Sequence, residues 1–262
     1  MSWKWEEMTA PEFAAARERS GGVCILPCGV IEKHGAHLPL GTDSLAGHRL
    51  AERAAEREPA VVYPFFYFGM IQTAKHQPGT IAYSSRLVLD VLRETCDEIA
   101  RNGFRKILIL SAHGGNHNIL GLFVRSMLEA PRDYAVYLDY LGDYWKTTQA
   151  EVMESAFDYH GGELETSLQL ALDAGLVRLE AVGRESGADQ DRAPGLAPLQ
   201  TPVNWYARFP NHYAGDAAKA SAEKGRTLVE AAVAGIAGTL RRIKSDDRTL
   251  DLMREFYARV RH

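Results

Sequence analysis

Short continuous apolar runs alternate along the chain with stretches in which Ala and Leu recur at helical spacing. Residues 22–29 (GVCILPCG) read as a buried strand, and 44–58 as a helix with apolar positions three and four apart. A second apolar run, 60–69, is interrupted by Pro64. Residues 85–103 carry an amphipathic helical pattern that Gly103 terminates. Residues 105–112 (RKILILSA) make the clearest strand; a helical run follows over 118–130, and 135–140 (AVYLDY) is a fourth strand. Apolar strands separated by helices imply parallel crossovers, hence an α/β fold with helices on both faces of a mostly parallel sheet. After Tyr140 the periodicity weakens. Residues 162–175 read as a helix, the proline- and glycine-containing stretch 183–211 as mostly loop, and 214–243 as a long helix broken near Gly225. No internal repeat or low-complexity linker divides the chain, so 1–262 reads as a single domain.

Composition narrows the class. The chain has 262 residues, 46% hydrophobic and 24% charged, which is ordinary globular usage. A chain this long buries roughly three quarters of its unfolded surface and needs no staple to hold a core. The net charge of −4, without long single-sign runs, gives no sign of a nucleic-acid partner. No apolar stretch approaches the ~18 residues needed to span a bilayer, and MSWKWEEMTAPEF lacks the apolar region of a secretory signal. Cys24, Cys28 and Cys96 form no paired or zinc-binding spacing and read as reduced core residues. A cytoplasmic location is therefore expected.

Five polar clusters depart from this patterning. Ile31–Asp43 (IEKHGAHLPLGTD) directly follows the first strand, where ligand sites form in open α/β sheets. In an extended chain Glu32 and His34 point to the same side, and a carboxylate beside an imidazole suits a borderline divalent cation. Asp43 opens the next helix, where a cap is the competing reading. His113, in SAHGGNHN (111–118), leaves the clearest strand at its carboxyl end; Asn116 or Asn118 would cap the helix beyond. In HGGELETS (160–167), Glu163 reads as a complement to the helix dipole. The turn His76–Thr80 and the segment Asn211–Asp216 complete the set. Together Glu32, His34, Asp43, His113 and Glu165 supply three carboxylates and two imidazoles from three strand exits, the donor set of a carboxylate-bridged pair of divalent metals.

These motifs resemble those of the creatininase (creatinine amidohydrolase) family. ILPCGVIEKHGAHLPLGTD is similar to its opening E-Q-H-G-P-H-L-P motif and downstream Asp, HQPGTI to H-x-x-F-P-G-T, and ILILSAHGGNHN to a strand followed by N-G-H-G-G-N. HGGELETS resembles H-A-G-x-x-E-T-S, and AGDAAKASAEKG resembles G-D-P-x-x-A-x-x-x-K-G. The matches run in order from about residue 20 to 226. The resemblance implies a three-layer α/β/α sandwich and two divalent metal ions, commonly zinc, with manganese or iron in some members. It implies that Glu32 and His113 hold one metal, His34 and Glu165 the other, and that Asp43 bridges them. It also implies a proton-transfer role for His160 and a homo-oligomer, often a hexamer. Lys33, Ala36 and Ala112 replace the family's usual Gln, Pro and Gly. Gly115 stands where creatininase itself has a liganding Glu, which moves that role to Glu165 and argues against creatinine as the substrate. The lid tryptophan of creatininase has a candidate counterpart in Trp145.

The expected activity is hydrolysis of a small cyclic amide, formamide or related carbonyl compound by a metal-bridging water, with His160 protonating the leaving group. His37 and His117 are expected to contact the ligands or the substrate, and His76 and Asp216 to line the pocket. The alternatives are a ring-opening hydrolase of an oxidised inositol or other cyclic ketone, a peptide-processing enzyme, a non-catalytic metal-dependent binding protein, and a structural oligomer without a site. A phosphorylated substrate would draw on Lys33, Lys75 or Arg86.

Overall fold

A computed structural model describes residues 2–196 and 198–260. Residue 197, inside the loop expected over 183–211, lies outside the described residues, as do 1, 261 and 262. Helix α1 (Ala10–Arg19) opens the chain, its start held by the Thr9 N–H donating to Glu12 at 2.8 Å. It is followed by β1 (Val23–Cys28), α2 (Thr42–Arg57), β2 (Val61–Val62), α3 (Ser85–Arg101), β3 (Lys106–Ser111), α4 (His117–Ser126) and β4 (Ala135–Tyr140). The second half adds α5 (Leu141–Val152), β5 (Asp158–His160), α6 (Glu163–Asp173), α7 (Asn204–Arg208), β6 (Ala214–Gly215), α8 (Ala222–Ser245) and α9 (Thr249–Arg259). The central sheet has the order β2-β1-β3-β4 and is parallel throughout.

The strands read as unbroken apolar runs because the sheet is covered on both faces. Val23, Cys24, Ile25, Leu26 and Cys28 of β1 and Ile107, Leu108, Ile109 and Leu110 of β3 have no exposed surface. Helices α2, α5, α6 and α8 pack together over one face, and α3 and α4 lie together in the other layer. In α3 the core-facing residues are Val88, Leu92, Cys96 and Ile99, one helical face at three- and four-residue spacing. The result is the three-layer α/β/α sandwich. All three cysteines are free and buried, and burial pushes Cys28 and Cys96 up to about 12. Among the described residues no helix is long and apolar enough to cross a membrane.

Four expectations are corrected. The run 60–69 forms a strand only at Val61–Val62, since Pro64 has no N–H to give a ladder. The helix expected over 214–243 begins at Ala222: residues 214–215 pair antiparallel with β5, and Ser221 caps α8 through Lys224 N–H at 3.2 Å. That helix is not broken at Gly225. A Cβ there would lie 1.8 Å from the Ser167 carbonyl oxygen, so glycine serves the close approach of α8 to α6. Asn116 does not cap α4 with its side chain. It accepts from Met70 N–H at 2.9 Å and donates to the Cys28 carbonyl at 3.4 Å, tying the 60–70 segment to the end of β1.

Candidate metal centre

From β1 the chain passes through α2 to β2 on one side, then crosses to β3 on the other. The crevice beyond the carboxyl ends of β1 and β3 is therefore the topological switch point, where ligands bind in open α/β sheets. Six register pairs, from Val23↔Lys106 to Cys28↔Ser111, bring the two exits out side by side. The β1 exit carries Glu32 and His34, and the β3 exit carries His113. Ser44 and Gln169 hold the start of α2 against them, donating to Val30 O at 3.0 Å and Thr42 O at 2.9 Å. Asp43 sits in the first turn of α2, where the cap position belongs to Gly41, so its carboxylate is free to face inward.

The five expected ligands meet. His113 Nδ1 lies 2.8 Å from Glu32 Oε1 and 2.9 Å from Asp43 Oδ2, and His34 Nε2 lies 3.2 Å from Asp43 Oδ1 and 3.8 Å from Glu165 Oε2. Asp43 thus spans the two imidazoles with its two oxygens. Glu32 and His34 have no exposed surface, and Asp43 and His113 are buried. A Cβ on Gly115 would stand 2.4 Å from His113 Nε2, so only glycine leaves room for this ring position. Glu32 Oε1, Asp43 Oδ2 and His113 Nε2 have no hydrogen-bond partner among the described residues. Buried carboxylate oxygens left unbonded while converging on a nitrogen are costly as a protein-only arrangement and natural around a cation. Divalent cations fit this mixed nitrogen and oxygen donor set, and the triad Glu32, Asp43 and His113 presents its ligand atoms within 4.8 Å of one another.

The charges follow from the same geometry. Burial opposes ionisation of His34, yet the Asp43 and Glu165 carboxylates raise it to about 10. His113 is likewise raised, against burial, by Glu32 and Asp43. Burial would push Glu32 up, but the neighbouring histidines, His113 foremost, hold it well below the usual carboxylate range. Burial raises Glu165, with His34 pulling the other way. His160 goes down to about 3, through burial first and then the charge of His34. It is therefore a neutral ring. Its Nε2 sits 2.8 Å from the Lys33 carbonyl, which only accepts, so Nε2 carries the proton and Nδ1 keeps a lone pair.

A cavity of about 330 Å³ opens onto these groups, lined by Glu32, His113, His160, Glu165, Trp205 and His212 among others. The remaining expectations fall in different places. His37 is buried beneath the site, its Nε2 2.9 Å from both Gly161 O and Thr166 Oγ1. His117 is exposed and stacks on Tyr140 at 4.6 Å. His76 does not line the cavity; its Nε2 reaches Pro210 O at 2.9 Å and so helps hold the chain before His212. Asp216 is exposed and not in the cavity, because its carboxylate caps the following turn at Ala218 N–H, 2.9 Å away. Trp145 is buried under Asp43 and Glu165 in the helical layer rather than in a lid. Lys33, Lys75 and Arg86 form no anion site: Lys33 is paired with Glu185 at 2.7 Å, Lys75 is exposed, and Arg86 points outward beside Asp90. Glu163 does more than complement a dipole. It is fully buried, accepts from the N–H groups of Glu154 and Ser155, and pairs with Lys224.

Two residues at the centre carried no assignment in the sequence. His212 Nε2 lies 2.5 Å from Glu32 Oε2, and Trp205 Nε1 donates to His212 Nδ1 at 3.0 Å. The segment Asn211–Asp216 signalled itself as a polar cluster, but nothing local tied it to Glu32, 180 positions away.

A sequence model of the creatininase family, described as creatinine amidohydrolase, matches residues 6–240. A creatinine amidohydrolase of Pseudomonas putida is 31% identical over 254 residues, covering 90% of this chain and 95% of that protein. A 3-dehydro-scyllo-inosose hydrolase of Thermotoga maritima is 26% identical over 236 residues, covering 79% and 73%. A mutant creatininase solved as the Zn–Zn type superposes with a TM-score of 0.79 at 28% identity, over 94% of this chain and 100% of that one. With the ligand-bearing strand exits, the buried carboxylates and the match over most of its length, the chain belongs to the creatininase family of metal-dependent hydrolases.

Proposed function

We propose that this protein is a two-metal hydrolase that cleaves a small cyclic amide, formamide or related carbonyl compound. The observation that carries the reading is the position of Asp43, with one oxygen 2.9 Å from His113 Nδ1 and the other 3.2 Å from His34 Nε2. One carboxylate facing two imidazoles, each with a second carboxylate of its own (Glu32 and Glu165), is the arrangement of a bridged pair. When bound, two divalent cations supply a water that is nucleophilic near neutral pH and an electrophile for a carbonyl oxygen.

The chain's own groups do the rest. The neutral His160 ring, fixed through Nε2 to Lys33 O, offers Nδ1 to hold or return a proton as the C–N bond breaks. Glu165 is anchored by the Gly161 N–H, which donates to Oε2 at 2.5 Å. Trp205 and Tyr159 give the cavity aromatic walls, and among the described residues no lysine or arginine lines it, which suits a compact substrate without a phosphate.

The test begins with chelator-treated protein and a panel of lactams, formamides and cyclic ketones. Zinc or manganese is expected to restore hydrolysis of an amide in the panel, and Asp43→Ala to lose both metal occupancy and turnover. Full activity in that variant ends the two-metal reading. Turnover confined to cyclic ketones would instead favour a ring-opening hydrolase, the alternative in line with the 3-dehydro-scyllo-inosose hydrolase of Thermotoga maritima.

A further inference from the structure

Glu32 uses its two oxygens differently. Oε1 approaches His113 Nδ1 and has no hydrogen bond, whereas Oε2 is met by His212 Nε2 at 2.5 Å. His212 comes from a distant segment and is itself held on its other side. An indole N–H can only donate, so Trp205 Nε1 at 3.0 Å fixes His212 Nδ1 as an acceptor. The proton of the neutral ring then resides on Nε2, which faces Glu32. We infer that Trp205, His212 and Glu32 form a directed hydrogen-bond relay in which Trp205 sets the tautomer of His212, and His212 turns Glu32 so that Oε1 is presented to a cation. This assignment rests on the metal-centre reading above.

Independent features of the fold support the relay. His212 is one of two non-glycine residues described with a positive φ, at 53°, and it is almost wholly buried. A residue outside its preferred backbone region persists where its surroundings over-determine it. Here its carbonyl accepts from Gly35 N–H at 3.3 Å, its N–H donates to Phe209 O at 3.0 Å, and Gln77 secures the preceding Pro210 carbonyl at 2.8 Å. The chain thus spends local strain to aim one imidazole at Glu32. Glu32, His160 and His212 also lie within 4.8 Å of one another and would qualify by distance as a cation site. The hydrogen bonds argue otherwise, because both nitrogens of His212 are already engaged and Nε2 of His160 is committed to Lys33 O. His212 and Trp205 are positioning residues for the ligand and not ligands themselves. Partners of this kind orient a metal-binding group, and their loss typically weakens metal binding about 10- to 100-fold.

The experiment is a zinc titration of metal-stripped protein against a competing chromophoric chelator, with imidazole ¹⁵N NMR of the wild type. His212→Asn tolerates the left-handed backbone but falls short of Glu32, and is expected to weaken one zinc-binding step about 10- to 100-fold. The step held by His34 and Glu165 should stay in place, which a general loosening of the site would not allow. His212→Gln, whose amide nitrogen reaches the position of Nε2, should recover affinity relative to the Asn variant. Trp205→Phe should weaken the same step by a smaller factor. The NMR spectrum should show His212 as the Nε2–H tautomer. Wild-type affinity in His212→Asn, equal weakening of both steps, or an Nδ1–H tautomer would each overturn the relay; if His212→Asn does not fold, Trp205→Phe and the tautomer decide. A wild type that binds no zinc overturns the metal-centre reading along with the relay, whereas zinc-binding wild type with unaffected variants removes the relay alone.

Discussion

Residues 23–116 and 153–216 both supply groups to the candidate metal centre, but the two regions hold them by different means. In the first, Glu32, Asp43 and His113 hang from the ends of β1 and β3 and the first turn of α2, and six backbone register pairs set the distance between the exits. In the second, His160, Glu165 and His212 come from a three-residue strand, a helix start and an irregular segment. Their positions depend on side-chain bonds: Glu163 to the 154–155 backbone and Lys224, His37 to Gly161 and Thr166, His76 and Gln77 to Pro210. A parallel ladder buried on both faces places Glu32 and His113 through the backbone, and polar side-chain bonds place His160, Glu165 and His212. Substituting His160 should therefore separate turnover from metal binding, whereas substituting His212, which meets Glu32, should not.

His160→Gln makes the largest expected break. Steady-state kinetics should show turnover lower by about 10²- to 10⁴-fold, while metal content by atomic spectroscopy stays at the wild-type level. Parallel loss of metal would mean that His160 belongs with the ligands. In the first region the corresponding break is steric. Gly115→Ala places a methyl 2.4 Å from His113 Nε2, and a ring displaced by about 1 Å costs on the order of 10²-fold in turnover; unchanged kinetics would show that His113 has room to give.

Glu163→Ala tests the polar scaffold itself. Removing one partner of a buried ion pair, and orphaning two backbone N–H groups, should destabilise the fold by about 3 kcal/mol in urea unfolding, with zinc affinity at the Glu32 step preserved. The smallest effect on turnover belongs to a pH series. The metal-free His34 imidazolium is raised to about 10 by its carboxylates, above the ordinary 6.5 of an unfolded histidine. Its pairing stabilises the metal-free fold fully below pH 6.5 and is lost as pH rises toward 10. Urea midpoints should fall over that window without metal. With zinc, whose ligands are neutral imidazoles, this dependence should vanish, and binding near pH 7 should release protons in calorimetry.

Much of this arrangement was legible in order along the chain. GVCILPCG and RKILILSA announce buried parallel strands, and a carboxylate or imidazole directly after such a strand sits at the binding edge of the sheet. That logic reaches Glu32, His34 and His113 without coordinates. It does not reach His212 or Trp205. Their segment has no periodicity, and its register against Glu32 is set by hydrogen bonds across 180 positions. Asp216 and Trp145 went astray for the converse reason: a polar or aromatic residue near a motif says nothing about the direction of its side chain. Gly225 likewise reads as a helix breaker until the Ser167 carbonyl is found against it.

The amino-acid sequence by itself determined the long central strands β1, β3 and β4, their parallel pairing through helical crossovers, the family, and the donor types available to a cation. These follow from short-range pattern and from the rule that buried backbone must be paired. The tertiary structure decided which donors face one another, that His160 is neutral with its Nδ1 open, and that Glu32 is oriented from a loop far along the chain. Those outcomes depend on burial, hydrogen-bond direction and charge proximity between distant segments, and these quantities exist only once the chain has closed on itself.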